Sequence, residues 1–126
     1  MRIISKDTDL RSVLVEGDER IIELVGPDVD LGGVLNHSII RLELAPGVCS
    51  PQSPHMHKKS EETYVVLSGS AEIMIDGNRA RMETGDIAVA AIGESHQIKA
   101  VGELPLIALA IMAPGFDISD VYLCDE

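Results

Sequence analysis

The residues that point most directly to chemistry in this sequence are histidines and a glutamate with the spacing of metal ligands. His55 and His57 are separated by one residue, and side chains two residues apart on a β-strand point to the same side. Glu62 follows the polar stretch 58–61, and a turn there would return the chain and place a carboxylate near both imidazoles. His96 begins a later apolar run and offers a third imidazole. Together these side chains form a candidate metal site.

The donor set indicates the class of metal. Three imidazoles and one carboxylate suit Fe, Mn, Ni, Co, Cu or Zn better than Ca or Mg, which prefer all-oxygen shells. An octahedral ion with four protein ligands keeps two positions for water, substrate or dioxygen, which is typical of a reactive site. The expected cofactor is therefore one divalent transition metal. Taken alone, a pair such as His55 and His57 is more often two solvated histidines, so the spacing leaves both interpretations open.

Glu62 is itself a catalytic candidate, because it could release the metal and act as a base, and parity along the strand that starts near it selects a second one. Glu62, Tyr64 and Val66 share one face of a regular strand, so Tyr64 is expected in the interior. Its hydroxyl can hydrogen-bond a substrate or donate a proton; the alternative is a core tyrosine whose hydroxyl reaches the edge of the core. Glu61 should face away as a surface charge, unless the register shifts by one residue and makes it an alternative ligand.

Other polar residues are assigned by the same reasoning. Asn36 and Ser38 share a strand face and are hypothesised to line the polar end of a pocket. His37 lies on the opposite face and is not an expected ligand. Cys49 is expected in a rim loop. With Cys124 it is too isolated for a disulfide framework, and both are expected to be buried thiols.

Short apolar or alternating runs must position these residues. Most of them end at Gly, Pro, Asn or Asp, a pattern typical of an all-β sandwich or barrel. Asp76-Gly77-Asn78 is the strongest hairpin signal, because Gly and Asn tolerate positive φ. The runs are residues 20–25, 36–44, 62–67, 71–75, 79–82, 87–91, 96–101 and 106–112.

The N-terminal part of the chain is less regular. Residues 9–16 have weak helical spacing. Residues 1–33 are interpreted as an N-terminal extension or an edge strand that pairs with the barrel or with a second subunit. Residues 34–126 are expected to form the barrel. With 126 residues the whole chain is one domain on size grounds.

Composition argues against several classes of partner. The chain has 10 Lys and Arg against 21 Asp and Glu, a formal net charge of −11, which repels phosphate backbones and anionic lipids. Nucleic acid and membrane are therefore not expected partners. The N-terminus has no apolar stretch of signal-peptide length, and the longest apolar run, 104–113, is about half a membrane span. A cytoplasmic location is expected.

The site residues and the glycines around them resemble the two cupin motifs. The first motif is represented by Gly47, His55, His57, Glu62 and Gly69. The second is represented by Gly85, Gly93 and His96. The sequence departs from the family pattern at Ala91 for proline, at Ala100 for asparagine, and in a longer spacer over 48–54, expected as a rim loop.

The resemblance implies a single-domain jelly-roll β-barrel with a metal bound by His55, His57, Glu62 and His96. It further implies a homodimer and a small-molecule substrate, with dioxygenase, isomerase or lyase chemistry. A non-catalytic ligand-binding or sensor protein is the alternative, and a metal that only stabilises the barrel is a third. Gly32-Gly33 and residues 114–117 are weakly similar to small quercetinase-like cupins.

Overall fold

Alternation of apolar and polar side chains produces an all-β structure. The computed structural model describes residues 3, 12–16, 18–27, 33–34 and 36–124. Within these ranges there are strands and one short 3-10 turn but no α-helix, which confirms the predicted fold class. The strands are β1 (Ser12–Glu16), β2 (Glu19–Val25), β3 (Ser38–Leu44), β4 (Cys49–Met56), β5 (Glu61–Ser68), β6 (Ser70–Ile75), β7 (Asn78–Met82), β8 (Ile87–Ala90), β9 (His96–Val101), β10 (Leu106–Ala113) and β11 (Tyr122–Leu123).

The strands form two antiparallel sheets whose neighbours are often distant in sequence. One sheet has the order β1-β2-β3-β10-β5-β8 and the other β11-β4-β9-β6-β7. β10 lies between β3 and β5, and β9 lies between β4 and β6. Each sheet therefore combines early and late strands around one core, which is the predicted jelly roll.

The core lies between the inner faces of the two sheets. Every second side chain of β10 from Leu106 to Met112 is buried, as expected for a strand with one face in the core. Ala110 of β10 pairs with Tyr64 of β5, so a small side chain lies beside a large ring. Burial of a Leu, Ile or Val side chain contributes about 1.5–3 kcal/mol. The core includes Leu42, Leu44, Val66, Ile73, Ile98 and Leu106.

The predicted hairpin corner joins β6 to β7. Ile75 pairs with Asn78, leaving Asp76 and Gly77 as the two turn residues. Their φ angles are +48° and +78°, the left-handed values that a tight two-residue hairpin requires. The hairpin prediction is confirmed.

The segment 48–54, expected as a rim loop, lies mostly within β4, and that expectation was wrong. β4 pairs with β9 at Ser50 and again at His55, with an interrupted register between them. Proline has no N–H for the ladder, and β4 contains two. The side-chain amide of Gln97 compensates by donating to the carbonyls of Pro51 and Gln52, at 2.9 Å and 3.1 Å. Cys49 consequently lies at the start of a strand.

The N-terminal segment contributes β1 and β2, which extend the six-stranded sheet beyond β3. The described part of 9–16, for which the weak helical spacing left the structure open, is the strand Ser12–Glu16. Residues 9–11 lie outside the described residues, as does Gly32. The boundary at residue 33 stays a prediction. Cys49 and Cys124 are free and half-buried. Among the described residues, no helix has the length and apolar character needed to cross a membrane.

Candidate metal centre

Three of the four candidate ligands lie on strands of the two sheets, the fourth directly follows a strand, and all four converge in the barrel interior. His55 of β4 pairs directly with His96 of β9 in the five-stranded sheet. His57 follows β4, and Glu62 is the second residue of β5 in the six-stranded sheet. One ligand atom from each residue lies within 4.8 Å of those from the others. The structure therefore brings together the four residues that the sequence selected.

Backbone carbonyls orient the two buried imidazoles. His57 Nδ1 lies 2.9 Å from the backbone oxygen of Asp120, and His96 Nδ1 lies 3.2 Å from that of Glu94. A carbonyl oxygen can only accept, so in the neutral imidazoles we assign the proton to Nδ1 and the lone pair to Nε2. Such a hydrogen bond on the outer nitrogen is typical of metal-ligating histidines.

The inner nitrogens of His57 and His96 are buried without a hydrogen-bond partner. His96 Nε2 lies 2.6 Å from Glu62 Oε2, and His57 Nε2 lies 3.8 Å from the same oxygen. Buried polar atoms without a partner are rare and energetically unfavourable. Here the lone pairs of two Nε2 atoms point toward one carboxylate, an arrangement that a cation between them would stabilise. Opposite ligands on a metal with bonds of about 2.1 Å lie roughly 4.2 Å apart, which agrees with the size of the cluster. The donor set fits a transition metal.

Electrostatics favour the protonation states that metal binding requires at Glu62 and His55, and favour the protonated form at His57. Burial alone would raise the pKa of Glu62, but contacts with His57 and His96 and their positive charges lower it to about 2. Burial lowers the pKa of His55, and repulsion from the other two imidazoles lowers it further, to about 4. Burial also acts to lower the pKa of His57, but contacts with Glu62 and Asp120 raise it above the ordinary value of 6.5. At neutral pH Glu62 is therefore ionised and His55 neutral.

Asp120, which sequence reasoning missed, holds the turn between β4 and β5. Its carboxylate accepts the backbone N–H groups of Lys58 and Lys59, each at 3.0 Å. The residue is 3% exposed and ends the 3-10 turn Ile118–Asp120. No local pattern marks it, because more than 60 residues separate it from the turn.

Tyr64 lies in the interior, as predicted, and contacts the cluster. Its hydroxyl donates to Glu62 Oε2 at 3.0 Å, and the residue is 2% exposed. Burial, together with the adjacent Glu62 carboxylate, raises the pKa of Tyr64 well above 10. The phenol thus keeps its proton over the whole physiological range.

The remaining candidates lie outside the cluster. Asn36 is exposed, and Ser38 is buried with its hydroxyl accepting from the backbone N–H of Phe116 at 2.7 Å. Neither lines the cavity beside the cluster, so the hypothesis that they form its polar end was wrong. His37 is separate from the four grouped residues, and Glu61 is exposed.

A cavity of about 360 Å³ adjoins the cluster. Its wall includes His55, His57, Glu62 and Tyr64, and most of the remaining wall is apolar. Two further carboxylates, Glu19 and Glu23 of β2, line it as well. Sequence reasoning missed them, although their even spacing with Ile21 places the three on one strand face. The other lining residues are Ile40, Leu42, Ser50, Pro51, Gln52, Ala110, Met112, Phe116, Ile118 and Val121.

Comparison with known proteins agrees with this architecture. An uncharacterised protein of Methanocaldococcus jannaschii is 26% identical over 129 aligned positions, covering 99% of this chain and 98% of that one. An uncharacterised conserved protein with a double-stranded β-helix domain from Klebsiella pneumoniae is 24% identical, with a TM-score of 0.76 over 100% of this chain and 99% of that one. Oxalate decarboxylase from Bacillus subtilis is 23% identical, with a TM-score of 0.77 over 91% of this chain and 30% of that one.

The sequence profile of the family described as Cupin domain matches residues 40–112. This range begins in β3, ends in β10 and includes all four residues of the cluster. Since it spans more than half of the sequence, the chain belongs to the cupin-domain family.

Proposed function

We propose that the protein is a metal-dependent enzyme acting on a small organic molecule, with His55, His57, Glu62 and His96 as the metal ligands. The observation that carries this proposal is the pair of buried Nε2 atoms, on His57 and His96, that face one ionised carboxylate without a hydrogen-bond partner. Residues selected only to stabilise a core would pair these nitrogens or replace them with apolar groups.

A bound divalent transition metal supplies Lewis acidity toward a carbonyl or enolate oxygen, or a site for dioxygen. The chain itself contributes side chains that can transfer protons. Tyr64 holds a proton on its hydroxyl, directed at Glu62, and both residues line the cavity. Glu62 is ionised and Tyr64 is protonated at physiological pH; in the proposal Glu62 releases the metal to act as a base, and Tyr64 donates its proton to bound substrate. We assign Glu62 and Tyr64 as the catalytic residues of a dioxygenase, isomerase or lyase reaction.

The cavity sets the size and character of the substrate. A volume of about 360 Å³ falls at the lower end of the range for small-molecule sites. Apolar walls exclude water from most of the bound molecule, while the histidine cluster and Tyr64 offer polar contacts at one side. Both features support a compact organic substrate.

Metal content is the first experiment. Protein purified without an affinity tag or chelator should contain about one equivalent of Fe, Mn, Ni, Co, Cu or Zn by plasma mass spectrometry. The double variant His57→Ala/His96→Ala should contain none, whereas His37→Ala, which removes an imidazole outside the cluster, should match the wild type. A wild-type protein that takes up none of these metals after reconstitution would overturn the proposal.

Turnover separates an enzyme from a binding protein. Metal-loaded protein should convert a member of a panel of small carbonyl, enol and hydroxy compounds, detected by nuclear magnetic resonance of the products. His57→Ala should abolish that conversion while still folding. Dioxygen uptake would assign the protein to the dioxygenases. Thermal stabilisation by a panel compound without product formation would show a non-catalytic binding or sensor protein instead.

A cytoplasmic homodimer is also part of the proposal. Both sheets end in edge strands, β8 and β1 in one and β7 and β11 in the other, and edge strands are commonly covered by a partner. Light scattering of the purified protein should give twice the mass of the 13.5 kDa chain; the mass of a monomer would reject the dimer.

A further inference from the structure

The outer face of the six-stranded sheet is apolar where a face toward water is ordinarily polar. All eight residues of β10 are apolar. Those with even numbers, from Leu106 to Met112, are buried in the core, whereas Ile107, Leu109 and Ile111 face outward and are partly exposed. A strand with one face in a core and the other in water alternates apolar and polar residues. Packing of the barrel core therefore does not explain the outward side chains of β10.

Sheet register extends this apolar character onto the neighbouring strands. One row of outward side chains crosses β3, β10, β5 and β8, and a second row crosses the last three of these strands. We call this surface the outer patch; its rows are Ile39, Ile111, Thr63 and Val89, and Leu109, Val65 and Ile87. The two members on β8, Ile87 and Val89, are 63% and 54% exposed. A contiguous apolar surface of this kind is typical of a protein–protein interface.

The outer face of the five-stranded sheet shows the ordinary pattern in the same chain. Its outward row across β7, β6 and β9 consists of Arg81, Glu72 and Lys99. Arg79 of β7 forms an ion pair with Glu72 at 2.9 Å. Charged side chains thus lie on one sheet where apolar side chains lie on the other. The contrast indicates that the outer patch is suited to contact with another apolar surface and not with water.

The charge of the chain favours a second copy as the partner. The formal net charge is −11, so two copies repel each other wherever their carboxylates meet. None of the seven residues of the outer patch is charged, and Arg41, which continues the second row beyond Leu109, is paired with Glu43 at 3.0 Å. Two outer patches can therefore meet without opposed charges, whereas a basic partner would be attracted to acidic surfaces elsewhere.

The sheet is large enough to contribute to a dimer interface. Five neighbouring strands, β2, β3, β10, β5 and β8, have on average about seven residues. With about 3.3 Å per residue and about 4.8 Å between strands, they cover a flat area of roughly 550 Å². Projecting side chains give this face a larger accessible surface than its flat area. The face thus approaches the roughly 800 Å² per partner that a stable interface buries.

We propose that the outer patch is the self-association surface of this protein, on which a second copy packs its own outer patch face to face. Identical patches that meet around a twofold axis form a closed dimer. The proposal rests on the homodimer within the proposed function and assigns a surface to it. Contact through side chains distinguishes this arrangement from hydrogen-bonded pairing of two edge strands.

The first test replaces the two most exposed residues of the outer patch, in Ile87→Lys/Val89→Lys. Both side chains are exposed in the single chain, so the variant should keep its fold, which circular dichroism checks. Two lysines have no counter-charge in an uncharged interface, so the Kd of the dimer should rise at least about 30-fold. The mass by light scattering should fall toward the 13.5 kDa of one chain.

The control is Leu123→Lys, the same kind of change at a 78% exposed residue of β11 in the other sheet. It should leave the wild-type dimer intact. A dimeric Ile87→Lys/Val89→Lys variant, or dissociation by Leu123→Lys, would overturn the proposal.

Thr63→Lys tests the centre of the outer patch. Thr63 lies on β5 between Ile111 of β10 and Val89 of β8 and is partly exposed, so its replacement removes little buried apolar surface. It should dissociate the dimer as well. A dimer that survives Thr63→Lys but not Ile87→Lys/Val89→Lys would place the contact at the edge of β8 and would contradict face-to-face packing.

Salt distinguishes an apolar contact from one held by ion pairs. Added salt screens the repulsion between two copies that each carry a net charge of −11. The Kd of the wild-type dimer, measured by light scattering over a range of protein concentrations, should therefore decrease as salt is added. An increase would show that ion pairs hold the dimer and would contradict the proposal.

The same variants separate this surface from the proposed function. If the wild type, Ile87→Lys/Val89→Lys and Thr63→Lys are all dimers, the homodimer stands and the outer patch fails. If the wild type is a monomer, both fail, while metal content and turnover still test the metal-dependent enzyme. A dimeric wild type with both patch variants monomeric and folded would support the outer patch even if no turnover were found.

Discussion

The imidazole of His57 donates from Nδ1 to the backbone oxygen of Asp120 across 2.9 Å, joining two residues that lie 63 positions apart. The carboxylate of the same Asp120 accepts the N–H groups of Lys58 and Lys59, which follow His57 directly. One residue near the C-terminal end therefore sets both the ring orientation of a candidate ligand and the turn that carries the chain to Glu62.

Replacement of Asp120 by alanine should weaken metal binding without removing any ligand. The variant leaves two backbone N–H groups without their acceptor, which loosens the turn after His57. We expect a loss of affinity of about 10- to 100-fold, the usual effect of removing a group that orients a ligand, and a loss of stability of about 1–3 kcal/mol. Competition with a fluorescent chelator and thermal unfolding measure the two effects.

The control is Asp117→Asn, in the same segment, where the carboxylate accepts hydrogen bonds from Ser119 and interacts electrostatically with Lys59 but does not hold the backbone N–H groups of the turn. Its metal affinity should equal that of the wild type. Equal affinities for Asp120→Ala and wild type would show that the turn keeps its conformation without Asp120.

Metal binding should stabilise the fold. A metal that binds only the folded state adds about 2.7 kcal/mol to the free energy of unfolding at 100 times its Kd. The melting temperature should therefore rise on metal addition and fall again with chelator, in the wild type and in His37→Ala alike. His57→Ala/His96→Ala should not respond. A metal-dependent shift of equal size in the double variant would place the binding site elsewhere.

Local patterns predict most strands because each run must bury alternate side chains and end at a turn. The runs 71–75, 96–101 and 106–112 correspond to β6, β9 and β10. The same parity placed Tyr64 beside Glu62. β4 was harder to predict from the sequence, because its prolines interrupt the hydrogen-bond ladder with β9.

Contacts between distant segments could not be predicted in the same way. The role of Asp120 depends on a segment that returns to the turn after β4, and no periodicity in the sequence encodes that contact. Glu19 and Glu23 enter the cavity only because β2 pairs with β3. Parity gives the face on which a side chain lies, but not which cavity that face borders.

The two histidines on either side of Met56 should titrate very differently in the metal-free protein. In the folded protein the pKa of His55 is about 4, below its ordinary value of 6.5. The folded protein therefore binds this proton less readily than the unfolded chain does. The unfolded chain therefore takes up more protons between those values, and the contribution of His55 to stability, fully present above pH 6.5, is lost as pH falls toward 4.

His57 has the opposite sign. Its pKa is raised above 6.5, so its contribution is fully present below pH 6.5 and is lost as pH rises through the raised value. Nuclear magnetic resonance titration of the imidazole Hε1 signals, assigned with His55→Gln and His57→Gln, would resolve the two midpoints. Midpoints in the reverse order would contradict the electrostatic description of the cluster.

Replacement of Tyr64 by phenylalanine should show whether proton donation by the Tyr64 hydroxyl and metal binding are separate functions of the site. The change removes the hydroxyl that donates to Glu62 Oε2 but keeps the buried ring, so we expect a stability loss of only about 1 kcal/mol. Metal content should stay near one equivalent, while the turnover number should fall by about 10²- to 10⁴-fold, as for other general acids. Tyr122→Phe, an equivalent change at an exposed tyrosine, should leave both quantities unchanged. If Tyr64→Phe lost metal and activity in parallel, the hydroxyl would act by positioning Glu62 and not by donating a proton to substrate.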